Sequence, residues 1–135
     1  MDKKLTIYLA GPIGGCTDSE CNDWRDLVIR RMGKAYNIRN PMDRDYRDHY
    51  LDVGMAPEIV DLDKRDINNS DVVIANITKH STGTAMEILY AWEQHKIIVA
   101  VATPDVRLSP WHIRHATKIV YTLEEALDWI IDFVR

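Results

Sequence analysis

Two carboxylates, Glu87 and Asp63, stand out before any fold is assigned. Glu87 falls in the second turn of a helix opened by Ser81-Thr82-Gly83. Helical side chains lean towards the N-terminus, so Glu87 projects over positions 83 and 84, and Gly83 has no side chain to block it. The positive end of the helix favours an ionised carboxylate there. The expected apolar face, Ala85, Ile88, Leu89 and Trp92, leaves Glu87 off the core stripe. A glutamate near a helix start is more often solvated than catalytic, so position alone does not decide. Asp63 lies on the preceding helix with Asp61 and Asp66 within about a turn, and such clusters are usually solvated faces. Two carboxylates from different elements meeting at one cleft could instead divide nucleophile and acid roles.

Other motifs are weaker. The loop Gly11-Pro12-Ile13-Gly14-Gly15 lacks the Lys-Ser/Thr of a P-loop and the spacing of GxGxxG, yet it can present backbone N–H groups to a ligand. His112 and His115 are three apart, a spacing compatible with metal, but no third ligand is evident and no metal site is expected. Cys16 and Cys21 form no CxxC pair and read as two free thiols in a reducing compartment.

The elements that must hold these residues alternate between apolar runs and helical patterns, the signature of βαβ units. Strand one spans residues 5–10 and ends at Gly11-Pro12. A helix follows over 18–32, with Trp24, Leu27, Val28 and Arg31 at helical spacing and Gly33 as its stop. A short strand over 36–39 runs into Asn40-Pro41. Residues 42–55 are polar and aperiodic and read as a long loop over the active face. Within it, Arg44, Asp45 and Arg47, in the stretch ending at Tyr50, are expected to bear on ligand choice. Pro57 opens a helix carrying Ile59, Leu62, Asp63 and Ile67 to about Asn69. A buried strand over 72–76, the glycine-containing turn 80–84 and a helix to about His95 come next. The strand 97–102 precedes an irregular segment, then a last strand over 118–121. Thr122 caps the final helix, with Glu125 completing a capping-box pattern.

The expected fold class is α/β: one domain over residues 1–135, a single doubly wound five-stranded parallel sheet, flavodoxin-like (Rossmann-like). Ligands in such sheets bind beyond the strands' carboxyl ends. That rule selects the loops with Gly11, Ile13, Gly14 and Gly15, with Asn40 and Pro41, with Ser81 and Gly83, and with Ser109.

Composition narrows the partners. At 135 residues, 46% apolar and 28% charged, the chain fits one ordinary globular domain. Its net charge of −4, without a basic run, argues against polymeric nucleic acid. Small anions remain compatible, because backbone N–H groups can hold a phosphate. The N-terminal apolar stretch is too short for a signal or a membrane span, so a cytoplasmic protein is expected.

Four segments together resemble the nucleoside 2-deoxyribosyltransferase family and its relatives, the 2′-deoxynucleoside 5′-monophosphate N-glycosidases. They are Ile7-Tyr8-Leu9-Ala10-Gly11-Pro12; Asp63 with Asp71 eight residues on; Val72-Val73-Ile74-Ala75; and Gly83-Thr84-Ala85-Met86-Glu87-Ile88-Leu89-Tyr90-Ala91. The resemblance covers most of the chain. It implies that Glu87 attacks the anomeric carbon to form a deoxyribosyl ester, and that Asp63 protonates the leaving base and later activates the acceptor. Tyr8 would orient Glu87, with no metal or organic cofactor. The implied ligands are a deoxynucleoside or deoxynucleotide and a free nucleobase, and the implied assembly is a homodimer or larger homo-oligomer.

One departure bears on the substrate. Nucleoside transferases of this family typically carry an Asp six residues before the nucleophile, where this sequence has Ser81. A carboxylate there would repel a phosphate, whereas a serine at a helix N-terminus would hold one. Ser109 resembles the second phosphate-binding serine that the monophosphate enzymes take from a neighbouring subunit. The sequence also ends at Arg135 without the tyrosine-tipped tail of many nucleoside transferases. Both points lean towards 5′-monophosphates. A non-catalytic nucleotide-sensing module and an NAD glycohydrolase-like enzyme are the alternatives.

Overall fold

The computed structural model describes residues 3–49 and 51–134; Tyr50 and Arg135, named above, lie outside that description. The strands are β1 (Thr6–Ala10), β2 (Asn37–Arg39), β3 (Val72–Ile77), β4 (Ile97–Ala102) and β5 (Lys118–Val120). The helices are α1 (Asp18–Met32), α2 (Ala56–Asn68), α3 (Thr82–Glu93), α4 (Pro110–His115) and α5 (Leu123–Phe133). All strand pairs are parallel, in the order β2-β1-β3-β4-β5. This is the expected flavodoxin-like sheet.

Strand alternation divides the core. Ile7 and Leu9 of β1, Val72 and Ile74 of β3, and Val99 and Val101 of β4 face one way. They pack against Val28 and Met32 of α1 and Ala126, Leu127 and Ile130 of α5. Tyr8, Ala10, Val73, Ala75, Ile77, Ile98 and Ala100 face the other way, against Ile67 of α2 and Ile88 and Ala91 of α3. β1 and β3 are buried along their whole length, as their continuous apolar runs require.

Three local expectations need correction. The segment read as irregular contains α4: Ser109 caps it and Pro110 occupies its first turn. Six residues are too few to display a hydrophobic period. The buried stripe of α1 is Cys21, Arg25, Val28 and Met32, while Arg31 is exposed and pairs with Asp128 at 3.4 Å. An arginine on the buried stripe disguised its phase. Residues 42–55 are not featureless, since short 3-10 turns occupy Pro41–Asp43, Arg47–His49 and Val53–Met55.

Candidate active site

The middle of β1, the middle of α2 and the second turn of α3 converge. Tyr8 is fully buried on β1, and its hydroxyl donates to Glu87 Oε2 in a short hydrogen bond. Asp63 of α2 faces the same cleft, held by Arg44 Nη2 at 3.3 Å from its Oδ1. On α3 the buried residues are Thr84, Ile88 and Ala91; Ala85 and Trp92 are exposed, so the core stripe sits one position away from the expected one. Glu87 is half-buried, at the border between that stripe and the cleft.

Burial dominates the electrostatics. It pushes the Glu87 carboxyl up to about 8, and the Asp63 charge adds to the rise; the Tyr8 hydrogen bond and the Arg25 charge oppose it. Burial therefore outweighs the expected pull of the helix N-terminus towards an ionised Glu87, and the carboxyl's affinity for a proton is raised. The dipole of a helix end is worth at most about 2 kcal/mol, less than the desolvation of a carboxylate. Asp63 is also raised, by burial against the pull of Arg44. Burial first, then Glu87 and Asp63, lift Tyr8 well above 10, so its phenol stays a donor. Three acidic groups thus share a site that cannot bear three charges.

The cleft holds about 900 Å³, enough for a nucleotide-sized ligand. Gly11, Ile13, Gly14, Gly15, Pro41, Ser81 and Gly83 line it together with Asp63 and Glu87. Gly15 has a left-handed φ of 74°, which suits glycine. A side chain at Gly83 would meet no protein atom and would intrude on open space beside Glu87. Ser81 caps α3, its hydroxyl oxygen accepting from Thr84 N at 3.3 Å, which leaves the hydroxyl proton to donate outward.

Two named residues lie elsewhere. Asn40 is buried, does not line the cleft, and caps the following turn, accepting from Met42 N at 3.0 Å. Ser109 caps α4, accepting from Trp111 N at 3.2 Å, away from this chain's own cleft. His112 Nδ1 accepts from Ser109 N, while His115 lies between Trp92 and Trp111, so the two histidines face different neighbours. Among the described residues no group of three His, Cys, Asp or Glu could hold a metal ion.

Arg25 was not legible as a site residue, and Asp66 was legible only as one member of an acidic cluster. Arg25, fully buried, donates to Cys21 O at 2.6 Å, Gly11 O at 3.2 Å and Leu9 O at 3.4 Å, fastening the end of β1. A cation at i+4 from Cys21 and i−3 from Val28 was the available signal. Asp66, 2% exposed, is indistinguishable in sequence from its exposed neighbour Asp61.

Comparison with known proteins adds to this geometry. The chain superposes on a conserved protein from Enterococcus faecalis with a TM-score of 0.78 at 20% identity, covering 96% of this chain and 99% of that one. The 2-deoxyribosyltransferase from Leishmania mexicana gives 0.71 at 19% identity, over 97% and 99%. The CMP N-glycosidase of Clostridium botulinum gives 0.60 at 19% identity, over 93% and 98%. At such identities these likenesses establish the fold alone. No curated protein matches the sequence. The sequence profile described as nucleoside 2-deoxyribosyltransferase, however, matches residues 7–125, which include Tyr8, Asp63 and Glu87. This chain belongs to the nucleoside 2-deoxyribosyltransferase family.

Proposed function

We propose that the protein cleaves the N-glycosidic bond of 2′-deoxynucleoside 5′-monophosphates through a covalent deoxyribosyl-Glu87 ester. The observation that carries this reading is the meeting of Glu87, Asp63 and the Tyr8 hydroxyl in one cleft. As the substrate arrives, the proton held on Glu87 passes to Asp63, leaving an anionic nucleophile beside the sugar and an acid beside the base. Glu87 attacks C1′, the C1′–N bond breaks, and its electron pair leaves with the base, which takes the Asp63 proton. Asp63, now a carboxylate, deprotonates the acceptor, which attacks C1′ and frees Glu87. Water as acceptor gives hydrolysis, and a second base gives transfer; the outcome depends on how well the ester is shielded from water. Tyr8 holds Glu87 in line and balances its charge as the ester forms and breaks. Retention of configuration follows from the two displacements.

The 5′-phosphate is placed at the start of α3, against the Ser81 hydroxyl, the free N–H groups of the first turn and the backbone of residues 13–15. A homo-oligomer would let Ser109 of a neighbour close that site. Hydrogen bonds to a charged group contribute about 1.5–3 kcal/mol each, so a nucleotide should exceed its nucleoside by about a hundredfold in kcat/KM. Ser81→Asp should reverse that order by setting an anion against the phosphate. Incubation with dCMP, dGMP, thymidine and NAD, with and without a free base, tests the function. Base release from the deoxynucleotides is expected; release from NAD alone, or from none of the four, would refute the reading.

A further inference from the structure

Arg44 bridges two acidic residues of α2. Its Nη1 lies 2.8 Å from Asp66 Oδ2 and its Nη2 lies 3.3 Å from Asp63 Oδ1. Asp63 and Asp66 are three apart on a helix and so share a face, and a planar guanidinium suits two-point contact with both. Asp66 is nearly inaccessible to solvent, and its other oxygen is served by Arg65 at 3.3 Å and Arg39 at 3.8 Å. A carboxylate so enclosed and so paired is a fixed anchor for Arg44. Arg44 itself comes from the turn after β2, a different element from Asp63, and its side chain is mostly covered. A surface ion pair between flexible side chains would contribute little; one braced on a buried anion holds its geometry.

We propose that Arg44, braced on the buried Asp66 carboxylate, is a positioning residue for Asp63, fixing one carboxyl oxygen by a charged hydrogen bond and leaving the other to exchange a proton with the base. This deepens the proposed function and rests on its reading of Asp63 as proton donor. The groups that face Asp63 are Tyr8 from β1, Glu87 from α3, Arg44 and Tyr46 from the segment after β2, and Asp66 from its own helix. Arg25 of α1 reaches Glu87 and Tyr8. Arg44 is the cation in direct contact with the acid. Its charge favours loss of the proton that burial would otherwise lock in place, which makes Asp63 a stronger donor than an equally buried carboxyl standing alone.

The readout is the pH profile of kcat/KM, measured with whichever of dCMP, dGMP and dTMP the unmodified protein uses best. The upper limb marks loss of the proton shared by Glu87 and Asp63. Removing a neighbouring cation stabilises every protonated form, so Arg44→Met should move that limb upward by about 1–3 pH units. Arg44→Lys, which keeps the charge, should hold the limb near its original position. Arg44→Met combined with Asp66→Asn leaves no uncompensated buried anion and should show the same displacement, so instability of the single variant does not blunt the test. Activity lost with the limb unmoved in both methionine variants would overturn the proposal and leave Arg44 a purely structural residue. Asp63→Asn separates the two levels, since it should abolish the upper limb. If it does so while Arg44→Met moves nothing, only the role of Arg44 falls. If Asp63→Asn leaves both limb and rate intact, the reading of Asp63 falls and the Arg44 proposal with it.

Discussion

The two faces of the sheet are built from the same three strands and do opposite work. One face presents Ile7, Leu9, Val72, Ile74, Val99 and Val101 to α1 and α5, all large aliphatics. The other presents Tyr8 with Ala10, Val73, Ala75, Ile77, Ile98 and Ala100 to α2 and α3. The Tyr8 ring carries its hydroxyl from that core out to Glu87. The first face maximises apolar burial. The second gives up some of it to bring Tyr8, Asp63 and Glu87 together where water is scarce, and the raised Glu87 and Asp63 carboxyls record that cost.

The sharpest way to break this contrast is Glu87→Ala. Base release should fall by about 10⁴-fold or more, as for removal of other covalent nucleophiles, with the circular dichroism spectrum unchanged. An active variant would remove the functional meaning of the second face. Asp63→Asn should slow release by about 10²–10⁴-fold, and a base already activated for departure should suffer much less. If Asp66→Asn proved the more damaging change for such chemistry, the buried anchor and the acid would have been exchanged.

The first face should answer in stability instead. Ile130→Ala opens a cavity in the aliphatic cluster and should cost about 2–5 kcal/mol, seen as a lower urea midpoint at unchanged slope. Its kcat should stay within about twofold of the unmodified protein, since distant sites act independently. The last effect concerns pH. Folding raises Glu87 from an ordinary 4.5 to about 8, so the folded state binds the proton more tightly than the unfolded one. Stability tied to that proton is fully present below pH 4.5 and is lost as pH rises through about 8. Glu87→Gln has no such loss. Its melting temperature should exceed that of the unmodified protein by a margin that widens from about pH 5 to about pH 9. A margin constant across that range would mean that folding does not raise the proton affinity of Glu87.

The sheet was readable because parallel strands buried on both sides appear as unbroken apolar runs, and the loops at their carboxyl ends follow from topology. The placement of Glu87 at the cleft was readable from Gly83 at i−4 and the start of α3, and the family resemblance suggested Asp63 and Tyr8 as its neighbours. What escaped was set by tertiary contact. The proton on Glu87 depends on Asp63 and on burial, neither of which is local to α3. Arg44 belongs to a stretch without periodicity, and its partners are nineteen and twenty-two positions away in sequence. Arg25 was passed over because its partners are backbone carbonyls, which leave no charge-pairing pattern in sequence. α4 was hidden by its brevity.

The covalent step is open to direct observation. A 2-fluoro-2-deoxyribosyl nucleotide should react at Glu87 and stall, because fluorine beside the anomeric carbon destabilises the positive charge needed to break the ester. Digestion and mass spectrometry should then find one fluorinated sugar phosphate on the peptide containing Glu87, and none in Glu87→Ala. Base release from the unmodified protein with no sugar on that peptide, or with the sugar on Asp63, would contradict the assignment of Glu87 as nucleophile.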